Sequence, residues 1–172
     1  MIFSILSVFC LTLTQSQNET NLNLPYADER FLVIDNRPNC IALSSYFAIN
    51  FTAQEQKSAL ISYGDLTHLV KNRFNNTHCS LNELQHFLKQ FKIKSKIIKL
   101  KNKKDITDPK FKFFILYIPP KENSRIGHFT FCSNSDKNVY VWDPMLTSAL
   151  KSNLDNYPNI MTNWDGVMLW IE

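Results

Sequence analysis

The stretch that decides the fold is residues 39–51, which read NCIALSSYFAINF. Its apolar side chains recur at helical spacing and cover a broad face, which predicts a helix over residues 40–51. Asn39 belongs to the residue types that cap helix N-termini, so Cys40 falls in the first helical turn. The sequence therefore predicts a helix that starts at a cysteine and has an apolar face for a protein core.

Further elements follow this helix along the chain. Helices are predicted over residues 54–63, 65–74 and 80–91, and Ser80 and Glu83 form a capping box at the start of the last one. The apolar period then changes to two, which predicts strands over residues 92–100, 111–118, 127–132, 139–142 and 166–171. Helices followed by antiparallel strands indicate the α+β class.

A lysine-rich run accompanies the first of these strands. Lysines alternate with isoleucines over residues 92–100 and continue at Lys101, Lys103 and Lys104. One interpretation is an edge strand that lysines protect against aggregation. The alternative is a surface for an anionic partner or a membrane.

The N-terminus is typical of a targeting segment. Residues 2–13 are mostly apolar, and no charged residue precedes Glu19. We expect residues 1–16 to be a signal peptide, residues 17–30 a loose arm and residues 31–172 one domain. The protein would then be secreted or extracytoplasmic, with no stable membrane span after signal removal; a retained membrane anchor is the alternative.

Net charge and cysteine content further restrict the classes of function that the sequence supports. A net charge of +4 over 172 residues does not indicate a nucleic-acid partner. The domain has three cysteines, Cys40, Cys79 and Cys132, so at least one thiol cannot pair within the chain. That thiol is either a small buried apolar residue or a reactive group. Three glycosylation sequons occur, at Asn18, Asn50 and Asn75.

A reactive Cys40 needs a base, and His128 is the histidine with the most suitable context. It begins a predicted strand directly after Gly127, whereas the other three histidines lie in predicted helices or a turn. The next strand ends at Asp143, so pairing of the two strands brings His128 and Asp143 to one end of a hairpin. Asp143 could then orient the imidazole while the helix start favours a thiolate. A purely structural role for these residues is the alternative.

The order of these motifs resembles the bacteriocin-processing peptidases, papain-like cysteine peptidases that remove double-glycine leader peptides. The resemblance covers roughly residues 31–172 and includes a polar turn before a cysteine-initiated helix and a capped S-x-x-E-L helix. It also includes a strand opening with G-H-F, a strand ending in D-P and a closing W-x-G-x-x-L. The matching residues are Asn39, Cys40, Ser80, Glu83, Leu84, Gly127, His128, Phe129, Asp143, Pro144, Trp164, Gly166 and Leu169.

The resemblance implies a papain-like α+β fold and peptidase activity. Because the N-terminus is typical of a signal peptide and no exporter domain follows in the sequence, we expect a stand-alone, exported member. Cys40 would be the nucleophile, His128 the base and Asp143 the residue that orients it. Peptide or protein substrates would be cleaved through an acyl-enzyme, without a cofactor or metal.

The sequence departs from the family on the oxyanion side. The family has a glutamine several residues before the cysteine, where this chain has Ile34. Asn36 and Asn39 carry side-chain amides and are the candidate oxyanion donors. Loss of one such donor typically reduces the rate by about 100- to 1000-fold. A weakly active or inactive domain that binds a peptide or protein is therefore the main alternative, and a structural domain with Cys40 in a disulfide is a third.

Overall fold

A computed structural model of the protein describes residues 33–34, 37–38, 40–74, 79–120, 127–135, 138–143 and 151–172. The helices are α1 (Cys40–Glu55), α2 (Tyr63–Phe74), α3 (Leu81–Lys89) and α4 (Pro158–Asn163). The strands are β1 (Val33–Ile34), β2 (Arg37–Pro38), β3 (Ser95–Lys99), β4 (Phe113–Ile118), β5 (His128–Ser135), β6 (Asn138–Trp142), β7 (Lys151–Asn153) and β8 (Val167–Ile171). Single 3-10 turns occur at Lys103–Thr107 and Leu154–Asn156.

Six strands form one antiparallel sheet in the order β3-β8-β4-β5-β6-β7, and β1 pairs with β2 in a separate hairpin. The β4–β5 ladder runs from Phe113 opposite Ser133 to Ile118 opposite His128. The larger helices precede the sheet in the chain, which confirms the α+β class and the helix that begins at Cys40. The lysine-rich strand β3 lies at an edge, as one interpretation of its pattern predicted.

Helix α1 is buried on every side. All residues from Ala42 to Ala53 are buried, because the sheet covers one side of the helix and α2 and α3 cover the others. Phe47 and Phe51 pack against Phe131 and Trp142 of the sheet, with ring centroids 5.1–5.9 Å apart. Each large side chain that is fully buried stabilises the fold by about 1.5–3 kcal/mol, so this contact is a major part of the core.

The other face of the sheet is also covered. Phe114, Val141 and Met168 point away from α1 and pack against Trp164 and its neighbours from α4 and the 3-10 turns. Trp164 donates its indole N–H to the Val167 carbonyl at 2.6 Å. Gly166, with φ of +90°, makes the turn into β8 in a conformation that favours glycine. The site-bearing strands thus lie between two apolar layers.

The predicted helix over residues 54–63 is wrong. Helix α1 ends at Glu55, and Lys57, two residues beyond it, has a φ of 52° in the left-handed region that often follows a helix end. The chain then runs without helix until Tyr63, where the Ser62 hydroxyl accepts the Asp65 N–H at 3.1 Å and starts α2.

Asn50 holds this non-helical connection against α1. Its side chain is fully buried, accepts the Ile61 N–H at 2.9 Å and donates to the Ile61 carbonyl at 3.1 Å. The Asn50 sequon is therefore closed to a glycan in the folded protein. Asn18 and Asn75 lie outside the described residues.

The other elements agree more closely with the sequence prediction. The capping box of α3 is present, with the Ser80 N–H 2.8 Å from a Glu83 carboxylate oxygen and the Glu83 N–H 3.3 Å from the Ser80 hydroxyl. β7 and α4 were not predicted. Within the described part of the chain, no helix combines the length and apolarity that a membrane crossing requires. The expected signal peptide and arm, residues 1–30, lie outside that part.

We predict that Asn50→Ala destabilises the fold without changing its architecture. The substitution removes two buried hydrogen bonds and leaves the Ile61 main chain without partners, which costs about 1–3 kcal/mol of unfolding free energy. Urea unfolding followed by circular dichroism measures the difference. Asn72→Ala, at an exposed position of α2, is the matched control. Equal midpoints for the two variants would contradict the assigned role of Asn50.

Candidate active site

Cys40 is the first residue of α1 and is half-buried. The first turn of a helix has main-chain N–H groups without intrahelical acceptors and carries the positive end of the helix dipole. Both features favour negative charge on an adjacent side chain. The cysteine thus lies where a helix with a buried body reaches the protein surface.

His128 is the first residue of β5, opposite Ile118 of β4. The preceding Gly127 passes directly over Tyr117. A side chain at position 127 would place its Cβ 2.7 Å from Tyr117 Cε2 and 3.1 Å from the Ile118 carbonyl. Only glycine permits this approach without a shift of the ring, so Gly127 sets where the chain enters β5 and where His128 lies.

Asp143 follows the last residue of β6. Phe131 pairs with Trp142, so the next position of the ladder sets Asp143 opposite Thr130, two residues along β5 from His128. The Asp143 side chain is 2% exposed and forms an ion pair with His128 through Oδ2 and the ring Nε2. The imidazole also lies near enough to the Cys40 thiol for that thiol to help raise the pKa of His128.

The structure therefore brings together the three residues that the sequence singled out. His128 lies between a half-buried thiol and a buried carboxylate, with its side chain 21% exposed. This is the geometry in which an imidazole exchanges a proton with a sulfur while a carboxylate fixes the ring.

The electrostatics of His128 follow from this geometry. Burial disfavours the charged ring, but the hydrogen bonds to Asp143 and Cys40 and the negative charges of both raise the pKa of His128 to about 10. The imidazole therefore carries a positive charge at neutral pH. An imidazolium is the partner with which a cysteine thiolate forms an ion pair.

The other two thiols differ from Cys40 in their surroundings. Burial, together with the charges of Glu83 and Cys40, raises the pKa of Cys79 to about 12. Burial and the charge of Asp143 raise the pKa of Cys132 well above its usual value. Both side chains thus stay neutral thiols at physiological pH.

All three cysteines are free thiols in the structure. The interpretation that places Cys40 in a disulfide is therefore wrong for this structure. Sequence reasoning missed that Cys79 lies near enough to Cys40 to be affected by its charge. No local pattern signals this, because α3 brings the two cysteines together through tertiary packing. The candidate oxyanion residues Asn36 and Asn39 lie outside the described residues, so their role stays a prediction.

Comparison with solved structures supports the fold. The chain is similar to the peptidase domain of Streptococcus ComA, a bi-functional ABC transporter involved in a quorum-sensing pathway, with a TM-score of 0.54 and 12% identity over 81% of this chain and 93% of that one. The chain also has a lower similarity to the Pseudomonas avirulence protein AvrPphB. The TM-score is 0.39, with 11% identity over 84% of this chain and 98% of that one, which is too low to support an argument.

In the comparisons of sequence, no protein-family model and no curated protein matches the chain. The fold is papain-like, as the resemblance of the sequence motifs implied.

We predict that His128 remains protonated well above pH 7 and that Asp143 is the main reason. The folded pKa, about 10, lies above the ordinary value of 6.5. Protonation of His128 therefore stabilises the fold fully below about pH 6.5, and this contribution is lost as the pH rises towards 10. NMR titration of the ring should show a midpoint far above 6.5, lowered in Asp143→Asn. A wild-type midpoint near 6.5 would refute the charged pair.

Proposed function

We propose that the protein is an exported cysteine peptidase in which Cys40 is the nucleophile, His128 the general base and acid, and Asp143 the residue that orients the imidazole. The observation that carries the proposal is the ion pair of His128 with the buried Asp143, beside the Cys40 thiol at the start of α1. The start of a buried helix in a papain-like fold is a suitable support, since it holds the thiol rigidly and supplies N–H groups for negative charge.

The proposed reaction has two steps. The Cys40 thiolate attacks the peptide carbonyl carbon, and the imidazolium of His128 gives its proton to the leaving amine, which leaves a thioester on Cys40. Neutral His128 then takes a proton from a water molecule, which attacks the thioester and releases the acid. The ion pair with Asp143 keeps the ring in one orientation through both steps. This route needs no metal or cofactor.

Main-chain N–H groups at the start of α1 are the proposed oxyanion donors, with Asn36 or Asn39 in place of the family's glutamine. A substitute amide has to reach the same oxygen to restore the lost rate. The absence of that glutamine favours the second candidate function, a weakly active or inactive domain that holds a peptide or protein in its cleft. The intact thiol, imidazole and carboxylate favour the first candidate, the active peptidase.

The remaining proposals concern organisation and location. We propose a signal peptide over residues 1–16, an arm over residues 17–30 and a peptidase domain over residues 31–172, in a secreted or extracytoplasmic protein. The uncharged apolar run before Glu19 supports export, and a membrane anchor formed by the same run is the alternative. Peptides or proteins are the proposed substrates, and no nucleic-acid partner is proposed.

We predict that iodoacetamide modifies Cys40 selectively at neutral pH. Cys79 and Cys132 serve as internal controls, because their raised pKa values keep them as unreactive thiols. His128→Ala should slow the labelling of Cys40 by about tenfold or more, because the thiolate is the reactive form and the imidazolium that stabilises it is lost. His86→Ala, at an exposed position of α3, is the matched control and should leave the rate unchanged. Peptide mapping by mass spectrometry gives the site and rate.

A peptide library then distinguishes the two candidate functions. Cleavage that Cys40→Ala abolishes supports the peptidase. Selective labelling of Cys40 with peptide binding but no cleavage supports the binding domain. Equal labelling of the wild type and His128→Ala would contradict both forms of the thiol site.

A further inference from the structure

The positive charge of the chain is concentrated at one sheet edge. Residues 84–104 contain eight lysines and no aspartate or glutamate, whereas the other eleven basic residues of the chain stand against fifteen acidic ones. This cluster, the lysine edge, therefore accounts for the whole positive excess. Its members are Lys89, Lys92, Lys94, Lys96, Lys99, Lys101, Lys103 and Lys104.

Most of these charges are exposed and uncompensated. Seven of the eight side chains are exposed, and the eighth, Lys103, donates to the Met161 carbonyl at 2.7 Å. Lys96 forms an ion pair with Glu172. Among the residues that the structure describes, no carboxylate pairs with the other six. Concentrated like charges repel one another and lower the stability of the folded state. A partner with negative charge would offset this loss of stability.

Protection of the edge strand does not account for the cluster. That function needs charges on the strand itself, and β3 carries two, Lys96 and Lys99. The other six lysines lie before and after the strand, in the last turn of α3, the loops and the adjoining 3-10 turn. Their number and position indicate a binding surface.

The main chain of β3 can also take part. Two bonds at the ends of the β3–β8 ladder show which residues face β8: Leu100 N–H to Gly166 O at 3.0 Å and Glu172 N–H to Lys94 O at 2.9 Å. Strand alternation then turns the N–H and C=O groups of Ile97 and Lys99 to the outer edge. The Gln85 side-chain amide donates to the Ser95 carbonyl at 2.7 Å. The main-chain groups of β3 that a partner strand could bind therefore begin after Ser95.

We propose that the lysine edge binds an extended acidic segment of a partner polypeptide, which adds to β3 as a further strand. Main-chain bonds at Ile97 and Lys99 would give affinity, and the flanking lysines would select carboxylates. This inference is independent of the thiol chemistry, since the lysine edge contains none of its residues.

Other anionic partners fit the surface less well. All eight basic residues are lysines, whereas arginine is the residue whose planar fork matches phosphate groups. A membrane-binding surface needs apolar side chains that enter the lipid. The exposed large apolar residues in the described part of the chain, Leu60 and Leu69, lie outside the lysine edge.

The test uses the full chain and a fluorescent peptide that alternates glutamate and valine. We expect binding that weakens as salt shortens the screening length. The double variant Lys99→Glu/Lys101→Glu should bind at least about tenfold more weakly, with Lys99→Gln/Lys101→Gln intermediate, because opposed charges add repulsion to lost attraction. Lys57→Glu/Lys71→Glu, which changes the charge equally elsewhere, should bind within about twofold of the wild type.

A second probe replaces the valines with proline, which cannot donate to a β-ladder. We expect it to bind far more weakly than the glutamate–valine peptide. Equal binding of the two peptides, or wild-type binding by Lys99→Glu/Lys101→Glu, would overturn the proposal. Tighter binding of phosphatidylglycerol vesicles or single-stranded DNA through the same lysines would overturn it in favour of that partner. Melting curves establish that each variant is folded.

Discussion

The packing of α1 between the sheet and two helices is the constraint on which the rest of the structure depends. A helix that is buried on all sides cannot shift or rotate without leaving cavities or creating clashes, because protein interiors are close-packed. Phe47 and Phe51 lock α1 onto β5 and β6. Since Cys40 is the first residue of this helix and His128 is the first residue of β5, the same core contact positions both side chains. The supports of the site are thus held in place by apolar packing.

The opposite charges of the site offset the free-energy cost of burying each other. A carboxylate as buried as that of Asp143 needs a counter-charge, and His128 supplies it. Burial, together with the charge of Asp143, raises the pKa of Cys132, and burial, together with the charge of Glu83, raises the pKa of Cys79. One thiol of the three is thus placed beside an imidazolium, while the other two are in surroundings that oppose ionisation. The difference between Cys40 and the other two cysteines therefore comes from the surroundings of each thiol, since the three side chains are chemically identical.

Local signals made parts of the fold predictable. Ser80 and Glu83 mark the start of α3 within a few residues, and the hairpin that carries His128 and Asp143 follows from period-two patterning and a polar turn. These features depend on neighbours in the sequence. The meeting of this hairpin with Cys40 was predictable only through the family resemblance, because no sequence pattern gives the distance between a helix start and a distant strand.

The errors have tertiary causes. Residues 54–63 have the composition of a helix, but Lys57 terminates α1 and Asn50 holds Ile61 in a non-helical path. Asn50 itself appears in the sequence as a sequon, and nothing nearby signals its burial. The short α4 did have a local signal, proline at its first position, but six residues give too little apolar periodicity to predict a helix.

The position of β8 has a consequence for how the protein is made. Among the strands that the structure describes, β8 comes last in the chain, yet it lies inside the sheet, where it joins β3 to β4. During synthesis from the N-terminus, the edge that carries the lysines stays separate from the strands of the thiol site until β8 emerges. The core beneath α1, which includes Leu169 and Ile171, is incomplete until then. A nascent chain therefore contains Cys40 early, but the core that holds Cys40, His128 and Asp143 together is complete only after residue 171 has been synthesised.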